Sequence, residues 1–348
     1  MRADGDETVL TPATRALADG VLARDRRALA RAITLVESTR PDHRTQASAL
    51  LQALMPSTGQ SLRLGISGVP GVGKSTLIEA LGNHVIAQGH RVAVLTVDPS
   101  SAISGGSILG DKTRMETLSR RAEAYIRPSP AGKTLGGVTR RSREALIVCE
   151  AAGYDVVIVE TVGVGQSETR VADMTDMFML LLLPGGGDEL QGIKRGIMEL
   201  ADLILVNKAD DELATLAERS AVQYRNALRL LHPRTKHWKV QVQTCSARDG
   251  AGVAGAWDTV LQHQAALVEA GEVAARRAGQ ARDWMWSEIN DSLLAELQND
   301  PAVRQKVPVL EAAVSEGKVP PVTAARQLLE LFLSPNGKAH QVGGDERG

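Results

Sequence analysis

Apolar positions along this chain follow two rhythms. Five short runs are predominantly apolar or alternating: Leu62, Leu64 and Ile66; Val92 to Val97; Val156 to Val159; Met177 to Leu183; and Leu203 to Val206. Short apolar runs bounded by polar or glycine-rich stretches predict strands buried on both faces, the kind found in parallel sheets. Trp238 to Val242 alternates and predicts one strand more. Ser75 to Leu81 leads out of the first run as a helix, and strands go on alternating with helices to about Gln262. That order predicts an α/β fold with a doubly wound, mostly parallel sheet.

On either side of this region the rhythm is helical only. Leu17, Val21, Leu29, Ile33 and Val36 fall on one face of a helix, and Pro41 separates it from a second, about His43 to Leu54. Beyond the sheet region, Ala265 to Leu297 reads as one long helix, Val303, Val307, Leu310 and Val314 repeat at helical spacing, and Val322, Ala325, Leu328, Leu329 and Phe332 form a last apolar face. The expected organisation is an N-terminal helical segment (1–61), an α/β domain (62–262), a C-terminal helical region (263–336) and a polar tail (337–348).

Between the first strand and its helix stands Gly68-Val69-Pro70-Gly71-Val72-Gly73-Lys74-Ser75, which fits G-x-x-x-x-G-K-[ST]. Glycines let the backbone fold round a phosphate, so that N–H groups and the positive end of the helix dipole point at the anion. Lys74 is placed for the β- and γ-phosphates, the Ser75 hydroxyl for Mg²⁺, and Thr76 opens the helix behind them. The pattern implies a nucleoside triphosphate without naming the base.

The base is indicated by Asn207-Lys208-Ala209-Asp210, directly after the run Leu203 to Val206. An Asp carboxylate accepts from both N1–H and the N2 amino group of guanine, Asn offers an amide to N7, and the Lys stem covers the ring. Adenine lacks both donors and would leave the carboxylate unpaired, a penalty of about 1–3 kcal/mol or more. Ser246-Ala247, behind the Trp238 to Val242 stretch, is placed to offer a backbone N–H to guanine O6. In this order after a phosphate loop, the set implies GTP and GDP.

Two strands end in acids. Asp98 closes the second and Glu160 lies at the carboxyl end of the third, where open α/β sheets keep their ligands. Either carboxylate can hold a Mg²⁺-bound water, since Mg²⁺ takes only one or two protein carboxylates. Asp98 fits a turn or helix cap as well, and Asp111 either joins the metal shell or pairs with Lys112 or Arg114. Lys74, Glu160 and Asp98 are the candidate catalytic groups.

The runs Val97-Asp98-Pro99-Ser100-Ser101, Gly105 to Met115, Glu160 to Glu168 and Gly187 to Lys194, with Gly317-Lys318-Val319-Pro320-Pro321 near the end, resemble the MeaB/ArgK/MMAA group of metallochaperone-type GTPases over nearly the whole chain. The resemblance implies a P-loop NTPase of the SIMIBI class with a C-terminal helical arm for homodimerisation. It implies a GTPase chaperone that gates adenosylcobalamin loading onto methylmalonyl-CoA mutase and protects or reactivates that enzyme. It also makes the glycine-rich Gly185 to Gly196 a switch loop facing the mutase, with Asp188 and Lys194 as the relay; on the residues alone this is equally an ordinary solvated loop. Other readings stay open: a GTPase of another acyl-CoA mutase, a metal-insertion GTPase, or the arginine/ornithine transport-system kinase whose label the family also carries.

Charge and composition narrow these. With 40 basic against 41 acidic residues and 3% aromatics, the chain lacks the field and the stacking platforms that nucleic acid or an anionic membrane would draw on. Its longest apolar run, Met177 to Leu183, falls far short of a membrane span, and its acidic start does not read as a signal or transit peptide, so a cytoplasmic protein is expected. Two distant cysteines, Cys149 and Cys245, and seven scattered histidines form no metal-insertion cluster in sequence.

Overall fold

The structure is a computed structural model that describes residues 10–97, 115–128, 135–161, 167–185, 195–229 and 234–334. Among the described residues seven strands form one sheet: β1 (Leu62–Gly68), β2 (Val92–Val97), β3 (Ala124–Arg127), β4 (Val156–Thr161), β5 (Met177–Leu182), β6 (Leu203–Val206) and β7 (Gln241–Thr244). Their order is β3-β2-β4-β1-β5-β6-β7, and every neighbouring pair is parallel. Strands β1, β2, β4, β5 and β6 are buried along their whole length, which is why apolar residues dominate their sequences, β5 and β6 being apolar throughout. The chain moves to one side of β1 for β2 to β4 and to the other for β5 to β7, so the carboxyl end of β1 is the switch point where such sheets open a crevice. Register sets Ile66 beside Glu160 and Gly68 beside Leu181 at that end.

Four elements depart from the sequence expectation. The strand foreseen at Trp238 starts at Gln241, because Trp238 packs instead of pairing: its indole N–H donates to the Asp202 carbonyl at 2.9 Å and its ring meets His263 edge-on at 5.1 Å. Strand β3 was not foreseen; among the described residues it pairs with β2 alone, and its Arg127 donates from Nε to Glu37 at 3.1 Å, tying it to the end of helix Arg26–Val36. The first helix is two, Pro12–Leu22 and Arg26–Val36, followed by Pro41–Leu54. Arg24 turns left-handed (φ 64°), and the Asp25 carboxylate caps the new helix by accepting from Arg27 N (2.7 Å) and Ala28 N (3.2 Å).

The long C-terminal helix is also two, Val253–Glu269 and Glu272–Asn299, broken at Gly271 with φ 68°. Helix Val253–Glu269 therefore runs through the expected domain boundary at residue 262. The first compact unit reaches Ala281 and includes the N-terminal helices; the second starts at Arg282. A set of hydrogen bonds accounts for this extension. Arg277 donates to both Asp176 oxygens (2.8 and 2.6 Å), to Ser61 O (2.6 Å) and to Gly59 O. Arg276 donates to Asp176 O, and Gln280 to Thr175 O at 3.0 Å. Asp176 accepts besides from Arg63 N at 2.9 Å, and the Arg63 side chain forms a two-pronged pair with Glu150 at 2.8 and 2.9 Å. The root of helix Glu272–Asn299 is thus fastened to the amino ends of β1 and β5, opposite the crevice.

Asp176 is 1% exposed, so removing its partner strands a buried charge. Arg277→Ala should cost about 3 kcal/mol of unfolding free energy. Urea denaturation of the purified variant checks this; a midpoint equal to that of the unmodified protein would contradict it.

In the second unit, helices Pro301–Ser315 and Pro321–Leu333 pack on each other, and Asp300 caps the former by accepting from Ala302 N and Val303 N at 2.9 and 3.0 Å. Met285, Trp286, Leu293 and Leu294 on the long helix are all more than half exposed. No helix among the described residues is long and apolar enough to cross a membrane.

Candidate nucleotide site

The phosphate loop connects β1 to helix Lys74–Ala87 at the switch point. Two of its glycines are demanded by close approach. A Cβ on Gly68 would lie 2.5 Å from the Leu181 carbonyl of β5, and one on Gly73, which has φ 97°, would lie 2.6 Å from Asn207 Nδ2. Lys74 is 7% exposed, and its Nζ donates to Gly68 O at 2.7 Å and Val69 O at 3.2 Å. Its ammonium is therefore held inside the turn at a helix N-terminus, where the helix dipole already favours an anion. Gly71 and Thr76 are exposed along the loop, while Val72 is buried with its carbonyl turned to Asn207.

Glu160 near the end of β4 is 4% exposed, and its Oε1 accepts from Ser75 Oγ at 3.3 Å. A hydroxyl and a carboxylate side by side are a hard-oxygen donor set of the kind Mg²⁺ takes, and they stand next to the phosphate loop. One strand over, the Ser67 and Thr161 hydroxyls share a hydrogen bond of 2.8 Å across β1 and β4. Asp98 and Asp111, the other two expected metal groups, lie outside the described residues, as do Asp188 and Lys194.

The loops after β6 and β7 are braced to the phosphate loop by one side chain. Asn207 Nδ2 donates to Val72 O at 2.8 Å, and Asn207 Oδ1 accepts from Ala247 N at 3.0 Å. The Ala247 N–H, one backbone donor of the Ser246-Ala247 element expected to offer an N–H to guanine O6, is thus engaged by Asn207. Asn207 locks three segments together, a role not legible in the four-residue motif. Ala209 N donates to Cys245 O at 3.0 Å, closing β6 against the loop after β7. Lys208 sits in the left-handed region (φ 61°), a cost a non-glycine residue bears where geometry matters more than local comfort.

Between Gly73 and Thr76 on one side and Asn207, Lys208, Asp210 and Ala247 on the other lies a cleft of about 310 Å³, the lower end of the usual size for a ligand pocket. Asp210 lines it, and its Oδ2 accepts from Ser246 Oγ at 3.0 Å. Two further groups belong to this loop and were not singled out from the sequence. Arg248 lines the cleft, and Asp249 Oδ2 lies 3.3 Å from the same Ser246 hydroxyl. Their position directly after Ser246-Ala247 was the available signal.

Geometry of this kind suits a triphosphate on the loop and a guanine in the cleft, and the chain's relatives agree with it. The family model for methylmalonyl-CoA mutase-associated GTPase MeaB matches residues 29–302. A putative GTPase of Caulobacter vibrioides is 58% identical over 312 residues, covering 90% of this chain and 95% of that protein. The mitochondrial methylmalonic aciduria type A homolog of Mus musculus is 49% identical over 325 residues, 90% of this chain and 78% of its own length. A crystal structure of LAO/AO transport system kinase superposes with a TM-score of 0.74 at 37% identity, covering 94% of this chain and all of the other. With a P-loop sheet built on the switch point and relatives that align over most of its length, the chain belongs to the methylmalonyl-CoA mutase-associated GTPase family MeaB and is a GTP-hydrolysing enzyme.

Proposed function

We propose that this GTPase serves as a chaperone of an adenosylcobalamin-dependent methylmalonyl-CoA mutase, gating cofactor loading and protecting or reactivating the enzyme. The observation that carries this reading is the family match over residues 29–302, a family described by its association with that mutase. The mouse relative, named for methylmalonic aciduria, supports it.

Hydrolysis then rests on positioning and charge rather than on a strong base. Lys74, fixed in the turn by two carbonyls, supplies a cation to the β- and γ-phosphates. Ser75 and Glu160 would hold Mg²⁺, with Asp98 and Asp111 as further candidates; the ion would neutralise charge developing on the phosphate oxygens. Asp210 reads the guanine edge, and the helix N-terminus behind Gly73 orients the phosphates.

The exposed apolar residues of helix Glu272–Asn299 support a homodimer, since Met285, Trp286, Leu293 and Leu294 would otherwise stay wet. Asp188 and Lys194 are the proposed relay to the mutase. A switch needs contacts that differ between its states. Asp188→Ala and Lys194→Ala should therefore keep the intrinsic GTPase rate and lose stimulation by the mutase.

The reading is tested by following mutase activity through many turnovers with the GTPase and GTP present. Slower inactivation, abolished when GDP replaces GTP, is the expected result. Inactivation at one rate with GTP, with GDP and without the GTPase would remove the chaperone role. A phosphate-transfer role has one supporting observation, the kinase named in the 37% identical structure. Radiolabel from γ-labelled GTP decides it: label only in free phosphate excludes a kinase, and label on an amino acid or protein establishes one.

A further inference from the structure

The Ser246 hydroxyl carries one proton and stands between two carboxylates, Asp210 Oδ2 at 3.0 Å and Asp249 Oδ2 at 3.3 Å. It can donate to only one of them at a time. Donation to Asp210 fixes the rotation of the carboxylate in the cleft, so that both oxygens can face the guanine edge; donation to Asp249 releases it. Asp249 is held to Ser246 by its own backbone as well, since Asp249 N donates to Ser246 Oγ at 3.3 Å, so the competitor does not drift away. What distinguishes the two acids is Arg248. Its Nε donates to the other oxygen of Asp249, Oδ1, at 3.2 Å, and its Nη2 lies 3.6 Å from Asp211 Oδ2.

We propose that Arg248 is a specificity-positioning residue: by engaging Asp249 it weakens that carboxylate as an acceptor and leaves the Ser246 proton to Asp210, the guanine-reading group. Arg248 acts through Asp249 and Ser246, without needing to touch the base. The inference rests on Asp210 reading guanine, and the experiment separates the two.

Binding of GDP and IDP is measured by calorimetry for the unmodified protein, Arg248→Ala, Asp249→Ala and the double variant. Inosine keeps N1–H and lacks the N2 amino group, so the GDP-to-IDP affinity ratio reports whether both Asp210 oxygens are in place. A loss of attraction for the phosphates would lower both affinities and leave the ratio alone. Arg248 and Asp249 are largely exposed, with side chains 73% and 47% accessible, so their replacement leaves the fold intact. Arg248→Ala should lower the ratio about threefold, the scale of an exposed ion pair. Asp249→Ala, which removes the competitor, should keep or raise the ratio, and the double variant should match Asp249→Ala, a coupling that only a shared path produces. An equal loss from Arg248→Ala in both backgrounds, a fall in GDP and IDP affinity together, or no change at all would overturn the proposal. If the unmodified protein binds GDP and IDP equally, the reading of Asp210 itself fails and the proposal with it.

Discussion

Replacing Lys74 by alanine is expected to slow GTP hydrolysis by at least about 100-fold, the scale of removing one preorganised charge from a transition state. The side chain is 7% exposed and held by the carbonyls of Gly68 and Val69, so the cation is preorganised within the turn. Substitution removes that charge from a turn whose remaining groups, the loop N–H donors and the helix dipole, are unchanged. GTP affinity should fall as well, and GDP affinity less, because the γ-phosphate adds charge beside the ammonium. Phosphate release under saturating GTP gives the answer. A variant rate within a few-fold of the unmodified protein would show that the loop does not place Lys74 against the reacting phosphate.

Asp210→Asn should invert base preference. Guanine presents two donors on its N1–N2 edge, and the carboxylate in the cleft presents two acceptors; an asparagine offers one acceptor and one donor. The N2 amino group of guanine then faces an amide N–H, while the O2 of xanthine finds in it a donor. A mismatched polar pair in a closed site costs about 1–3 kcal/mol, so GDP affinity should fall about 100-fold while XDP affinity rises. Ser246 remains able to donate to the asparagine carbonyl, so the loop itself should hold. Competition between the two diphosphates for each protein measures this. Unchanged preference for GDP in the variant would move base reading away from Asp210.

Much of the sheet was legible because burial on both faces leaves a strand few polar positions. Val156 to Val159 and Leu203 to Val206 could be nothing but central strands. Strand β3 escaped because four residues at a sheet edge, ending in an arginine paired with Glu37, carry no such pattern. The helix break at Arg24 was hidden for a different reason. Val21, Leu29, Ile33 and Val36 are all buried and the two helices pack on each other, so the apolar stripe reads on across the gap, and only the cap Asp25 marked it. Gly271 marked the second break in the same quiet way.

In the candidate site, the motif residues were visible and the bracing was not. Lys74, Ser75 and Asp210 are read from local motifs whose spacing reflects one turn of chain. Asn207 meets Val72 across 135 residues of sequence, and Ala247 across 40, distances over which no pattern is visible. The extension of the first unit to Ala281 depends likewise on Arg277 reaching Asp176, 101 residues away. Long-range hydrogen bonds of this kind have no periodicity, so they follow from the fold and cannot precede it.

A GTPase that serves a mutase should hydrolyse GTP at a rate that answers to that mutase. Single-turnover and steady-state phosphate release from GTP, with and without saturating methylmalonyl-CoA mutase, tests this most directly. The rate should rise at least about tenfold when the partner orders the site, as partner-supplied positioning does in other GTPases. A rate that neither methylmalonyl-CoA mutase nor a related acyl-CoA mutase alters would contradict the account.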